Sequence, residues 1–184
     1  MAGEVSELMQ ALYQGDNERA DRLLAERTEL DVFEAAAFGR VDRLRQLLDD
    51  DPEQARALAP DGFTALHFAA FFGQPQAARL LLERGADPGV TARNDMRVQP
   101  LHSAAAADQT EIGRMLLDAG ADPNETQEGG FVPLHAAAQN GNAELVELLL
   151  AHGADPSLEA DDGRTSAQIA REAGHEPLAE LLRA

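Results

Sequence analysis

Six times along the chain, apolar residues recur at fixed distances past an anchor position. The anchors are Gly15, Gly39, Gly73, Asp108, Gly141 and Gly174. Eight places past each stands a leucine: Leu23, Leu47, Leu81, Leu116, Leu149 and Leu182. Nine places past is leucine again in five units, with Arg183 in the last. Five places past are Ala20, Leu44, Ala78, Gly113, Val146 and Ala179. Offsets of five, eight and nine form one stripe of an amphipathic helix. Before each anchor runs a shorter, alanine-rich stretch. It predicts a second helix, whose small side chains permit close packing.

The boundaries of these helices are also legible. Glycine at the anchor suits a left-handed helix terminus, and Asp108 is among the few other residue types that tolerate one. Thr64 and Thr165 stand where a hydroxyl can cap the first helix. Pro100 and Pro133 stand at the first helical position, where a missing N–H costs nothing. Gly85, Gly120 and Gly153 end the second helix in three units.

The stretches "TALHFAAFFG", "QPLHSAAAAD", "VPLHAAAQNG" and "TSAQIAREAG" start 35, 33 and 33 residues apart. Upstream, "VFEAAAFG" fits the same columns, with Phe33 in the place of the histidine, and "LMQALYQG" fits again. Self-similarity at this period signals units that bury their apolar faces on one another. "TALHFAA", "QPLHSAA", "VPLHAAA" and three "GADP" segments resemble ankyrin repeats, most strongly over residues 60–157. The resemblance implies an all-α fold: an α-solenoid of stacked helix-turn-helix units with projecting β-turn or hairpin loops. The expected organisation is one domain over 1–184. Residues 1–30 form an N-terminal cap, and 31–59, 60–93, 94–126 and 127–159 are repeats. Residues 160–184 form a C-terminal cap repeat. The 94–126 unit departs from the pattern. Arg97 replaces the glycine before its helix and one extra residue enters "VTARNDMRVQ", so its turn is expected to be irregular.

Composition narrows the chemistry. Fifteen basic residues face thirty-three acidic ones, for a formal charge of −18. That field disfavours nucleic acid and favours cationic partners. All fifteen basic residues are arginine, which removes lysine-based phosphate loops, Schiff bases and general bases. With no cysteine there are no thiolate zinc sites, disulfides or cysteine nucleophiles. The first ten residues lack the pattern of a signal peptide, and no apolar run is long enough to span a bilayer. A cytoplasmic location is expected. Arginine without lysine, beside abundant alanine and leucine, points to a GC-rich genome and a bacterial source.

The histidines invite a metal hypothesis. His67, His102 and His135 share one column, but stacked helices lie about 8–10 Å apart, and one zinc needs each nitrogen at about 2.0–2.1 Å. In the family this histidine belongs to the hydrogen-bonding framework, and the same role is expected here. "DDDPE" at 49–53 and "ADDG" at 160–163 read as solvated acidic loops, the serines lie in no nucleophile motif, and "GGF" at 129–131 is no phosphate loop. No catalytic residue, metal ligand or cofactor is assigned.

The resemblance also identifies variable contact positions, at the ends of the first helices and the turn tips. Tyr13, Phe38, Phe63, Phe71, Phe72 and Phe131 fall on them, whereas Phe33 and Phe68 fall on framework columns. Met96 joins this set from a turn. Asp61, Asp95 and Arg164 supply charge nearby, with Glu128, Asp161 and Asp162 adding negative charge at later tips. Exposed aromatics anchor partners, although large residues here can also simply stiffen the turns. The expected function is therefore a non-enzymatic protein-interaction module. It would bind a protein or peptide of basic and apolar character through its concave face and turn tips, and it would act as a monomer. Two alternatives stand beside it. One is a structural protein that self-associates through the apolar patch. The other, with less support, is an enzyme with a site grafted on the scaffold.

Overall fold

The structure is a computed structural model, and it describes residues 5–27 and 29–183. Among these residues twelve α-helices pair into six antiparallel hairpins. The pairs are α1 (Glu7–Tyr13) with α2 (Asn17–Glu26), α3 (Val32–Ala37) with α4 (Val41–Asp50), and α5 (Ala65–Phe71) with α6 (Pro75–Glu83). Then come α7 (Pro100–Ala106) with α8 (Thr110–Asp118), α9 (Pro133–Asn140) with α10 (Ala143–Ala151), and α11 (Ser166–Glu172) with α12 (Glu176–Leu181). The chain is an all-α solenoid. Helices α3, α5, α7, α9 and α11 stack in single file, as do α4, α6, α8 and α10 behind them.

The leucine stripe builds the core. Leu81, Leu116 and Leu149 are fully buried, as are Leu66, Leu101 and Leu134 one layer in front. Between the layers lie Ala69, Ala70, Ala104, Ala105, Ala137 and Ala138, all with no exposed surface. Their small side chains set the short spacing between helices. In the last hairpin Leu182 is buried while Arg183 is exposed. All six anchors have positive φ, including Asp108 at 63°.

One column links the units. At the third position of α3, α5, α7, α9 and α11, a side chain accepts the backbone N–H of the residue before the helix. His67 Nδ1 takes that of Thr64 at 3.2 Å, His102 that of Gln99 at 3.2 Å, and His135 that of Val132 at 3.0 Å. Each Nε2–H then donates forward to a carbonyl in the segment that leads to the next hairpin: Val98, Glu125 and Leu158, at 3.0, 3.0 and 3.2 Å. A carbonyl only accepts, so the Nε2 tautomer follows. Both nitrogens of each imidazole are thereby engaged, which is the framework role expected for them.

Two sequence expectations need correction. Thr64 does not cap through its hydroxyl, which instead meets the His67 imidazole at 2.8 Å. Thr165 does cap, accepting from Gln168 N while Gln168 Oε1 takes the Thr165 N–H at 2.7 Å. Phe33 does not stand in for the histidine. Helix α3 is one residue shorter than α5, and the third position falls on Glu34, whose carboxylate accepts Asp31 N–H.

The turns stack as well. Arg93 N–H bonds Gly62 O, Glu128 N–H bonds Met96 O, and Asp161 N–H bonds Gly129 O, all within 2.9–3.0 Å. Close approach explains two glycines. A Cβ on Gly62 would lie 2.5 Å from Arg93 O, and one on Gly130 would lie 2.9 Å from Asp161 N. Arg97 holds φ of +50° where those turns use glycine. Its loop closes by Ala92 N–H to Val98 O, a wider span than Ala59 to Phe63 in the turn before. The irregular turn expected there is present.

Candidate partner-binding groove

The ends of the first helices and the stacked turns enclose a groove. One part of it is a cleft of about 350 Å³ between α5 and α7, and its walls include Tyr13, Phe63, Phe71, Phe72 and Met96. Tyr13, Phe71 and Met96 are the most open of these, at 46%, 49% and 50% exposed. Such large apolar side chains, left in water around one concavity, mark a surface suited to an apolar guest.

The four phenylalanines of "FTALHFAAFFG" divide by depth. Phe68 is buried at 3% and forms a small cluster with Met9, Ala37 and Ala59. Phe63 and Phe72 are half-buried against that cluster. Phe63 packs edge-on to both His67 and Phe68, with ring centres 5.5 and 5.8 Å apart. Phe71 stands above, edge-on to Phe72 at 5.3 Å. Packing and exposure thus coexist: the lower rings stiffen the wall that presents Phe71.

The first hairpin completes that wall. Tyr13 lies at the end of α1, its ring centre 6.3 Å from that of Phe68, and its hydroxyl donates to the Asp61 carboxylate. Desolvation, with that carboxylate beside it, raises the Tyr13 phenol well above its ordinary range. The phenol stays protonated and remains a donor.

The remaining candidates are spread out. Phe38 is half-buried against the clusters beneath the first two units and does not line the cleft. Phe131 stacks edge-on to His135 at 5.5 Å and borders a second recess of about 280 Å³ further along. The two recesses share His102, Ala106 and Gln127 and so form one trough. Asp95 is exposed on its turn. Arg164 is held within its own unit by Asp162 at 2.8 Å and Glu172 at 2.9 Å. Ser103 and Gln127 also line the cleft. Ser103 lies in the column of Phe68, so column alignment alone could have flagged it, whereas nothing in the sequence singles out Gln127.

Among the described residues no group of three or more His, Cys, Asp or Glu side chains is placed to hold a metal ion. No helix there is long and apolar enough to cross a membrane.

A sequence model of ankyrin repeats matches three times, over residues 8–92, 32–127 and 101–184. The chain belongs to the ankyrin-repeat family. Among curated relatives, the probable E3 ubiquitin-protein ligase XBOS31 of Oryza sativa subsp. japonica is 46% identical over 66 residues, which is 35% of this chain and 15% of that protein. The E3 ubiquitin-protein ligase XB3 of the same organism is 40% identical over 67 residues, 36% of this chain and 15% of that protein. The human DNA-binding protein RFXANK is 36% identical over 64 residues, 35% of this chain and 25% of that protein. This ankyrin-repeat chain thus matches only a quarter or less of each relative's length. The likeness is one of repeats. Ankyrin repeats generally serve as protein-interaction modules.

Proposed function

We propose that this ankyrin-repeat chain is a non-enzymatic, monomeric cytoplasmic module that captures a protein or peptide through its groove and turn tips. The observation that carries this reading is the cleft between α5 and α7, with Tyr13, Phe71 and Met96 about half exposed around it. Phe63, Phe72 and Phe131 support the wall, and Phe38 stiffens it from behind. Asp61 and Asp95, within a chain of formal charge −18, favour a partner with arginine or lysine beside its apolar anchor. The same charge opposes self-association of the apolar patch.

The test uses Phe71→Ser and Met96→Ser, because both side chains point outward and their loss should spare the fold. Proteins retained by the wild-type chain are identified and re-expressed, and their dissociation constants are measured against both variants. Weakening by at least about tenfold with unchanged melting temperature is expected. Equal affinity would remove the groove from the reading. Light scattering that shows concentration-dependent dimers, abolished by Phe71→Ser, would favour self-association instead.

A further inference from the structure

Apolarity and charge are segregated along the groove. The turns before α5 and α7 carry Asp61 and Asp95 against Arg93, and the Asp61 carboxylate already takes the Tyr13 hydroxyl, so their pull on a further cation is weak. The next two turns differ. Arg164 there is taken up by Asp162 and Glu172, which leaves Glu128 and Asp161 to face one recess of about 250 Å³ between the turns. Arg97 lines that recess too, so two carboxylates stand against one guanidinium and the balance stays negative. Between the aromatic cleft and this acidic recess the floor is Ala106 and Ala136, which leave room for a backbone to lie close.

The spacing of the two features is set by the stack. The cleft lies between α5 and α7, and the two carboxylates of the acidic recess stand on the turns that precede α9 and α11, with Arg97 of the turn before α7 on the side nearer the cleft. That is two steps of the solenoid, or about 16–20 Å at 8–10 Å per packed helix. The cleft, at about 350 Å³, has room for a bulky apolar side chain. A helical ligand advances only about 1.5 Å per residue. An extended chain covers about 3.3 Å per residue.

We propose that the groove takes an extended peptide segment bearing one bulky apolar side chain and, about five to six residues away, an arginine or lysine. This rests on the groove being the partner-binding surface. The apolar side chain enters the cleft beside Phe71 and Met96. The cation sits between Glu128 and Asp161, where charge complementarity selects it and the groove sets its interval.

The probe is a library of random 16-residue peptides displayed on phage and selected on the immobilised full chain at low ionic strength. Enriched sequences should pair a Phe, Leu, Met or Trp with an Arg or Lys at that interval, in one chain direction. Selection on Glu128→Gln with Asp161→Asn should keep the apolar residue and lose the basic one. The backbone bond from Asp161 to Gly129 survives in that variant. Apolar peptides without a spaced cation would overturn this inference and leave the groove reading standing. A cation about eleven to thirteen residues away would overturn it in favour of a helical ligand, which advances about 1.5 Å per residue. Enrichment that is indifferent to Phe71→Ser, or none at all, would sink the groove reading and this inference together.

Discussion

The joints in the middle of the stack and the joint at its N-terminal end solve one problem with opposite polarity. Between the central units the linking residue is histidine, which accepts backward through Nδ1 and donates forward through Nε2. At the first joint the same helical position holds Glu34, only 1% exposed. A carboxylate can only accept, so Glu34 cannot reach forward to a carbonyl. It looks back instead, receiving the Ser6 hydroxyl at 2.6 Å and the Arg27 guanidinium from the first hairpin. In α11 Gln168 holds the column and makes the backward bond. The residue type in this column thus follows from which neighbours a unit must hold, and the two kinds of joint should fail under different conditions.

Acid should strike the central joints hardest. Burial, above all, lowers His67 and His102 from 6.5 to about 4, and His135 is lowered for the same reason. The carbonyl of Val98 and the Asp61 carboxylate partly oppose this at His67, while His102 adds to it. Above pH 6.5 these residues are neutral in both folded and unfolded chains, and their contribution is intact. As pH falls from 6.5 toward 4 the unfolded chain takes up protons that the folded one refuses, and stability drops. At pH 5 the loss is about 2 kcal/mol for each of His67 and His102. Urea titrations of the wild type and of a His67→Gln/His102→Gln variant measure it. The variant should be weaker at pH 7, but its stability should fall less steeply, by about 2.7 kcal/mol per pH unit in the window between 4 and 6.5. Parallel profiles would show that the imidazoles are not the acid-sensitive joints.

Breaking the first joint should cost somewhat less and stay local. Glu34→Ala removes the acceptor for Ser6, Arg27 and the Asp31 N–H together. Arg27 keeps 34% of its side-chain surface in water, so its charge is not stranded. A loss of about 2–3 kcal/mol is expected. Because the first hairpin packs on the second and third units, through Glu34 and through Tyr13 with Asp61 and Phe68, hydrogen exchange should accelerate in α1 and α2 and remain slow in α7 to α10. Uniform acceleration would mean that the joints are not separable in this way.

The fold was legible because its repeating columns report directly on burial and on left-handed turns. Leu81, Leu116 and Leu149 lie in the core, and Asp108 takes the glycine conformation its column demanded. Legibility failed where one unit departs from the period. Counting back from Gly39 puts Phe33 on the histidine column, but Asp31 starts its helix a residue late and hands the position to Glu34. The groove was half legible for a related reason. Columns identify which residues leave the framework, so Phe71 and Met96 stand out. They carry no information on contacts between the first unit and the third. Met9 packs with Phe68, and Phe63 and Phe72 are half-buried against that pair. Nor could any spacing rule pair Tyr13 with Asp61, 48 residues apart.

That last contact gives the smallest and sharpest test of the first joint. Tyr13 is 46% exposed, and its hydrogen bond to Asp61 faces solvent. Tyr13→Phe keeps the ring against Phe68 and removes only the hydroxyl. Water can replace the lost donor at Asp61, which also receives the Phe63 N–H at 3.4 Å, so the cost should be about 0.5–1 kcal/mol. Tyr13→Ala removes the ring as well and opens one side of the cleft. If the hydroxyl fastens the first hairpin, exchange in α1 should quicken in both variants. If the ring does, only Tyr13→Ala should show it. The second outcome would leave the polar ties of the first joint to Glu34 and to the Arg43 Nε–H on Leu30 O, and Tyr13 as a wall of the groove.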